Sequence, residues 1–167
     1  MTKNLSLILL LLGSIFALVF AYISQFVFDF QPCILCLYQR WPFFAVATLT
    51  LLSLAFSKSE KVQKILLLCC ILLLLINCGL AFYHVGVEQK IFTGPTTCSS
   101  EELNNFENLE DLKNALMNTE AIRCDQPSFV FLGLSMAGWN FFYCLFLALS
   151  AYLLNRKAHM NLLRKSR

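Results

Sequence analysis

The 167-residue sequence predicts an all-α membrane protein: a four-helix transmembrane bundle with two outward-facing loops, the second carrying a short amphipathic helix. Three observations lead there. The chain is 58% hydrophobic and only 14% charged, with a mean hydropathy of +0.66, unlike a soluble domain. Its apolar residues come in blocks, and four blocks, about 5–28, 37–56, 65–83 and 129–154, are long enough to cross hydrocarbon, which takes about 20 helical residues. Charge is sorted by loop: nine of the 13 basic residues (Lys3, Lys58, Lys61, Lys64, Arg156, Lys157, Arg164, Lys165 and Arg167) fall on one side of a four-span topology. By the positive-inside rule that side, with both termini, is cytoplasmic. The chain reads as one integral membrane domain, 1–167, with outer loops at about 29–36 and 84–128. The net charge of +3 is small, and no nucleic-acid partner is expected.

The first span follows Met-Thr-Lys and is longer than a signal h-region; it passes into Tyr22-Ile23-Ser24-Gln25-Phe26 without a small-x-small cleavage site, so it reads as a retained helix. Asp29 and Pro32 end it. The second span opens with Gln39, Arg40 and Trp41; Trp41 suits an interfacial anchor, and Pro42 lies in the first turn or kinks the helix. The third span contains Cys69, Cys70 and Cys78 and the fourth Cys144, all read as small buried hydrophobes because none has a charged neighbour. Asn77 and Asn140 read as helix-to-helix hydrogen-bonding residues. His84, at the outer end of the third span and about level with Cys36, is a functional candidate because ionisable groups at such a depth are costly.

The second outer loop carries eight acidic residues against three basic ones between Glu88 and Asp125. Gly94-Pro95 marks a turn, and Ser99-x-x-Glu102 resembles a capping box. Leu103, Phe106, Leu109, Leu112 and Leu116 recur every three or four residues, predicting an amphipathic helix over 103–117 that packs on the bundle or lies on the bilayer.

The chemistry centres on Cys33-Ile34-Leu35-Cys36. If the segment from Cys36 to Arg40 is helical, the i,i+4 spacing brings the guanidinium beside the second sulfur, and a neighbouring cation favours thiolate over thiol. Of the eight cysteines, Cys33, Cys36, Cys98 and Cys124 face the outer compartment, where disulfides persist. Four cysteines allow three pairings. Because a Cys-x-x-Cys closes its own small loop, Cys98 with Cys124 is the natural second pair. Three readings compete: two passive disulfides, a four-cysteine zinc site, and a dithiol relay. Zinc sites of that kind usually show two close-spaced pairs, which Cys98 and Cys124 are not, so no metal is expected. The relay best accounts for Arg40 and for a thiol pair at the lipid boundary, within reach of a lipid-soluble oxidant.

Four stretches carry a family resemblance. Gln-Pro-Cys-Ile-Leu-Cys-Leu-Tyr-Gln-Arg at 31–40, Tyr83-His84-Val85-Gly86-Val87-Glu88, Gly94-Pro95-Thr96-Thr97-Cys98 and Phe131-Leu132-Gly133-Leu134-Ser135-Met136-Ala137-Gly138-Trp139 resemble the disulfide bond formation protein B (DsbB) family of bacterial inner membranes. The resemblance implies a four-helix quinone reductase, using ubiquinone or menaquinone, that reoxidises a DsbA-like periplasmic thiol oxidase and so sustains disulfide formation. It makes Cys33 and Cys36 the membrane-proximal redox pair, with Cys36 the thiolate facing the quinone. Cys98 forms the mixed disulfide with the partner, and Cys124 passes the exchange to Cys33. Arg40 matches the arginine beside the quinone, and His84 lies near the ring-contacting position. The alternatives are a paralogue serving another thioredoxin-like donor and a four-span adaptor whose disulfides merely hold its outer loop.

Overall fold

A computed structural model of the chain describes residues 4–56, 59–95, 124–127 and 129–165, the last helical turns (158, 159 and 161–165) by backbone alone. Cys98 and the amphipathic helix expected over 103–117 lie outside the described residues. Four helices carry the fold: α1 (Leu5–Phe26), α2 (Ile34–Phe56), α3 (Glu60–Glu88) and α4 (Met136–Lys165). Each holds a segment long and apolar enough to span a bilayer. Consecutive helices pack on one another and α4 closes back on α1, so the chain forms a four-helix membrane bundle. The α1–α2 turn, the end of α3 and the start of α4 meet at one end.

Lipid offers no hydrophobic drive for helices to associate, so close packing and hydrogen bonds hold such a bundle. Leu10, Val46, Cys70, Leu74, Cys144 and Ala151 fill the interior, while Phe16, Leu68, Ile76 and Phe146 face outward. Gly13 lets α1 approach α4: a Cβ there would strike Leu147, and the bare carbonyl accepts the Tyr143 hydroxyl at 2.8 Å. Asn77 donates to Cys144 Sγ at 3.3 Å, joining α3 to α4. Tyr22, Phe26, Trp41 and Phe44 form an aromatic group where α1 and α2 reach the interface.

Helix ends differ from the apolar blocks because hydropathy marks lipid contact, not helix length. α2 begins at Ile34, so Cys36 is helical, and Pro42 lies inside the helix, leaving the Tyr38 carbonyl without its usual donor. α3 extends beyond 65–83 at both ends, because Lys61, Gln63 and Lys64 are good helix formers and a capped turn carries the C-terminal end to Glu88. That turn is a Schellman motif: Ile91 N–H reaches the Gly86 carbonyl at 2.8 Å and Lys90 N–H reaches Val87 at 3.0 Å, with Lys90 at φ 60°. α4 starts at Met136, not 129, because a hairpin comes first. β1 (Val130–Phe131) and β2 (Leu134–Ser135) pair antiparallel around Leu132-Gly133, both at positive φ as a two-residue type I′ turn demands. Ser135 Oγ then accepts the Gly138 N–H at 3.2 Å, and Trp139 Nε1 pins the hairpin to α4 through the Phe131 carbonyl.

Candidate functional site: a thiol pair at one end of the bundle

The turn after α1 delivers the first cysteine. Phe30 N–H bonds the Ser24 carbonyl, and Asp29 adopts φ 54°, a conformation aspartate tolerates. Pro32 biases Gln31 before it to extended backbone. Cys33 then stands just before α2, its carbonyl accepting the Leu37 N–H at 3.1 Å. Its sulfur accepts the Cys36 N–H at 3.5 Å, as an N-cap side chain does. The two sulfurs lie 3.4 Å apart, hydrogen-bonded as a dithiol. The hydrogen bond to Cys36, followed by burial, pushes the Cys33 thiol up to about 12, against a smaller opposing pull from His84. Cys33 therefore keeps its proton, and Cys36 is the sulfur left to carry charge.

His84 reaches the pair from α3. It is 2% exposed, with Nε2 3.4 Å from Cys33 Sγ and Nδ1 3.0 Å from Gln39 Nε2. The directions in this network fix one another. The Cys144 thiol donates to Asn140 Oδ1 at 3.5 Å, Asn140 Nδ2 donates to Gln39 Oε1 at 2.8 Å, and Gln39 must then donate to Nδ1. The imidazole proton is left on Nε2, facing Cys33 and the Glu88 carboxylate, which lies 3.7 Å away with its side chain buried. Three helices thus orient one imidazole.

Arg40 follows a different course from the one its spacing predicts. Its guanidinium turns to α1, donating to Gln25 Oε1 at 2.7 Å and lying 5.0 Å from the Tyr22 ring centroid. Arg40 still lines the cavity that Cys36 lines. That cavity, of about 580 Å³, runs between α1 and α4: Phe16, Phe20, Phe43, Phe142, Tyr143 and Phe146 form apolar walls, and Cys33, Cys36, Gln39, Arg40, His84 and Asn140 line it near the thiol pair. Phe16, Phe20, Phe142 and Phe146 are also exposed on the outer face of the bundle, so the cavity adjoins lipid.

The structure brings together most of the residues singled out in sequence. Cys33 and Cys124 are buried in one cluster with Leu35 and Val87, against which Cys36 packs, and His84 touches Cys33. Cys98 lies outside the described residues. Gln39 and Glu88 were missed as site residues. The available signal was spacing: Gln39 lies one turn from Cys36, and Glu88 one turn from His84.

Four spanning helices that bury a Cys-x-x-Cys dithiol, a third cysteine and an oriented histidine at one end define a multi-pass membrane protein with a thiol redox centre. The sequence matches the family described as Disulfide bond formation protein DsbB over residues 3–154, and the chain belongs to that family of membrane thiol oxidoreductases. It is 32% identical over 139 residues to uncharacterized protein RP370 of Rickettsia prowazekii, covering 83% of this chain and 78% of that one. It is 29% identical over 148 residues to Disulfide bond formation protein B of Xylella fastidiosa, covering 84% and 83%. No solved structure matches the chain.

Proposed function

We propose that this protein reoxidises a DsbA-like periplasmic dithiol oxidase and delivers the two electrons to a membrane quinone, from the bacterial inner membrane and with both termini in the cytoplasm. The observation that carries this reading is a dithiol at the mouth of an apolar cavity adjoining lipid, with the guanidinium of Arg40 and the side chains of Gln39, Asn140 and His84 at the same end. A quinone has a flat ring with two polar oxygens and a long apolar tail. The donor set and the aromatic walls fit that group. When bound, it supplies a two-electron acceptor.

The chain's own residues do the rest. Cys98 takes the partner's electrons through a mixed disulfide, and Cys124, buried beside Cys33, passes the exchange inward. Oxidation of the inner pair removes two electrons and two protons. Cys36 carries the anionic sulfur toward the cavity, while Cys33 holds its proton and its sulfur accepts the His84 Nε2–H. Arg40, held by Gln25 and Tyr22, supplies fixed positive charge.

The test separates the outer exchange from the inner one. Cys98→Ser or Cys124→Ser abolishes oxidation of the protein partner but leaves Cys33 and Cys36 oxidisable by added quinone. Cys36→Ser abolishes both. Loss of quinone oxidation in the loop variants would break the serial relay, and a Cys36→Ser protein that still reduced quinone would remove Cys36 from the electron path.

A further inference from the structure

We propose that the reduced thiol pair is also a binding site for a thiophilic divalent cation of the zinc class, held by Cys33 Sγ, Cys36 Sγ, His84 Nε2 and the Glu88 carboxylate. This goes beyond the redox reading. It uses the same sulfurs without depending on their passing electrons to a quinone.

Geometry is the first support. The ligand atoms of Cys33, Cys36 and His84 all lie within 4.8 Å of one another, with Cys33 Sγ 3.4 Å from both Cys36 Sγ and His84 Nε2. Glu88 Oε1 is 3.7 Å from the same Nε2. Zinc bonds of about 2.3 Å to sulfur and about 2.0–2.1 Å to nitrogen or oxygen, set tetrahedrally, give ligand-to-ligand edges of roughly 3.4–3.8 Å. These three edges lie within that range, and the Glu88 carboxylate, which is near Nε2 but outside the tight cluster of the other three ligand atoms, closes the polyhedron by turning toward the sulfurs. This is not the four-cysteine set weighed on sequence: the fold contributes a histidine and a carboxylate from the last turn of α3.

Chemistry is the second. The two thiolates neutralise a dication in a buried place where each anion alone is expensive, and the Glu88 carboxylate leaves the complex one charge negative. Binding displaces the S–H protons of the pair, which leave to solvent, and moves no electrons. With Nε2 on the metal, the His84 proton moves to Nδ1, and Gln39 turns its amide so that Oε1 accepts it, the kind of hydrogen bond that orients a metal-bound histidine. An oxidised pair has no thiolates to offer. The site is therefore gated by redox state, and an occupied site holds the pair reduced and stops electron flow through it.

Cobalt(II) is the probe, titrated into detergent-purified Cys98→Ser/Cys124→Ser protein after reduction by a phosphine that is then removed. The expected result is one cobalt per chain, a thiolate-to-cobalt charge-transfer band in the near ultraviolet, displacement by zinc, and no band after the same sample is oxidised. That redox comparison needs no substitution at the site. Gln39→Leu should weaken binding roughly ten- to a hundredfold, and His84→Ala or Glu88→Gln by more. A band that survives oxidation or Cys36→Ser overturns the proposal, as does binding that requires Cys98 and Cys124. Metal-free samples are exposed to quinone in parallel. Oxidation without a cobalt band sinks the metal site alone, and a band without oxidation sinks the quinone reading alone.

Discussion

Gln39 Nε2 stands 3.0 Å from His84 Nδ1, so a side chain one turn beyond Cys36 decides which nitrogen of a histidine on another helix carries the proton. Nitrogen-15 spectra of the imidazole should report the Nε2–H tautomer in the wild type. Gln39→Glu, which can only accept when ionised, should invert it to Nδ1–H. Gln39→Leu leaves Nδ1 and Asn140 without their partner and should cost about 1–3 kcal/mol of stability. An unchanged tautomer in Gln39→Glu would show that the amide does not control the ring.

The raised Cys33 thiol makes a pH prediction. An ordinary cysteine ionises near about 8.5, whereas Cys33 in the folded protein does so only toward about 12. Between those values the unfolded chain binds fewer protons at this site than the folded one, so its contribution to stability is full below about 8.5 and is lost as pH rises toward 12. Reactivity follows the same order. Iodoacetamide applied to the reduced protein between about pH 7 and 9 should modify Cys36 well before Cys33, as read by peptide mass spectrometry. Equal labelling of both would contradict the assignment.

Arg40 should matter through its charge and through its anchors on α1. Arg40→Met removes a charge-assisted hydrogen bond worth about 1.5–3 kcal/mol and should raise the quinone KM roughly ten- to a hundredfold. Arg40→Lys keeps the charge but not the planar fork and should fall between. Gln25→Leu, which frees the guanidinium without removing it, should have the smallest effect. Wild-type KM values in Arg40→Met would leave the residue as an interfacial anchor.

The cap of α3 carries a mild strain and a tight contact. Lys90 occupies the left-handed region that glycine takes at no steric cost, so Lys90→Gly should stabilise the protein by about 1 kcal/mol in thermal unfolding. Gly86→Ala should do the opposite, by about 1–3 kcal/mol, because its Cβ would meet the Phe92 ring that stacks on Tyr83. Since Gly86 lies between His84 and Glu88, the substitution should also slow oxidation of the thiol pair.

Sidedness can be read from two exposed phenylalanines at opposite ends of the bundle. In intact spheroplasts, an impermeant maleimide should label Phe28→Cys, while Phe56→Cys should require permeabilisation. The reverse pattern would place the thiol pair in the reducing compartment and remove the basis for the proposed reaction.

The sequence by itself determined the four spans, the end of the bundle that holds Cys33 and Cys36, and the family, because hydropathy and short motifs are local properties that survive without coordinates. It did not determine helix ends: the turn at Leu132-Gly133 and the extension of α3 to Glu88 depend on backbone hydrogen bonds that hydropathy does not register. Arg40 illustrates the limit most directly. Spacing along α2 placed it one turn from Cys36, but a long side chain goes where partners satisfy its donors, and those partners, Gln25 and Tyr22, belong to α1. The imidazole of His84 is likewise oriented by Gln39 from α2, which Asn140 and Cys144 orient from α4, and it faces Cys33 across two helices. Contacts between residues 45 to 101 positions apart have no period in the chain, so only the packed bundle could decide which groups share the site.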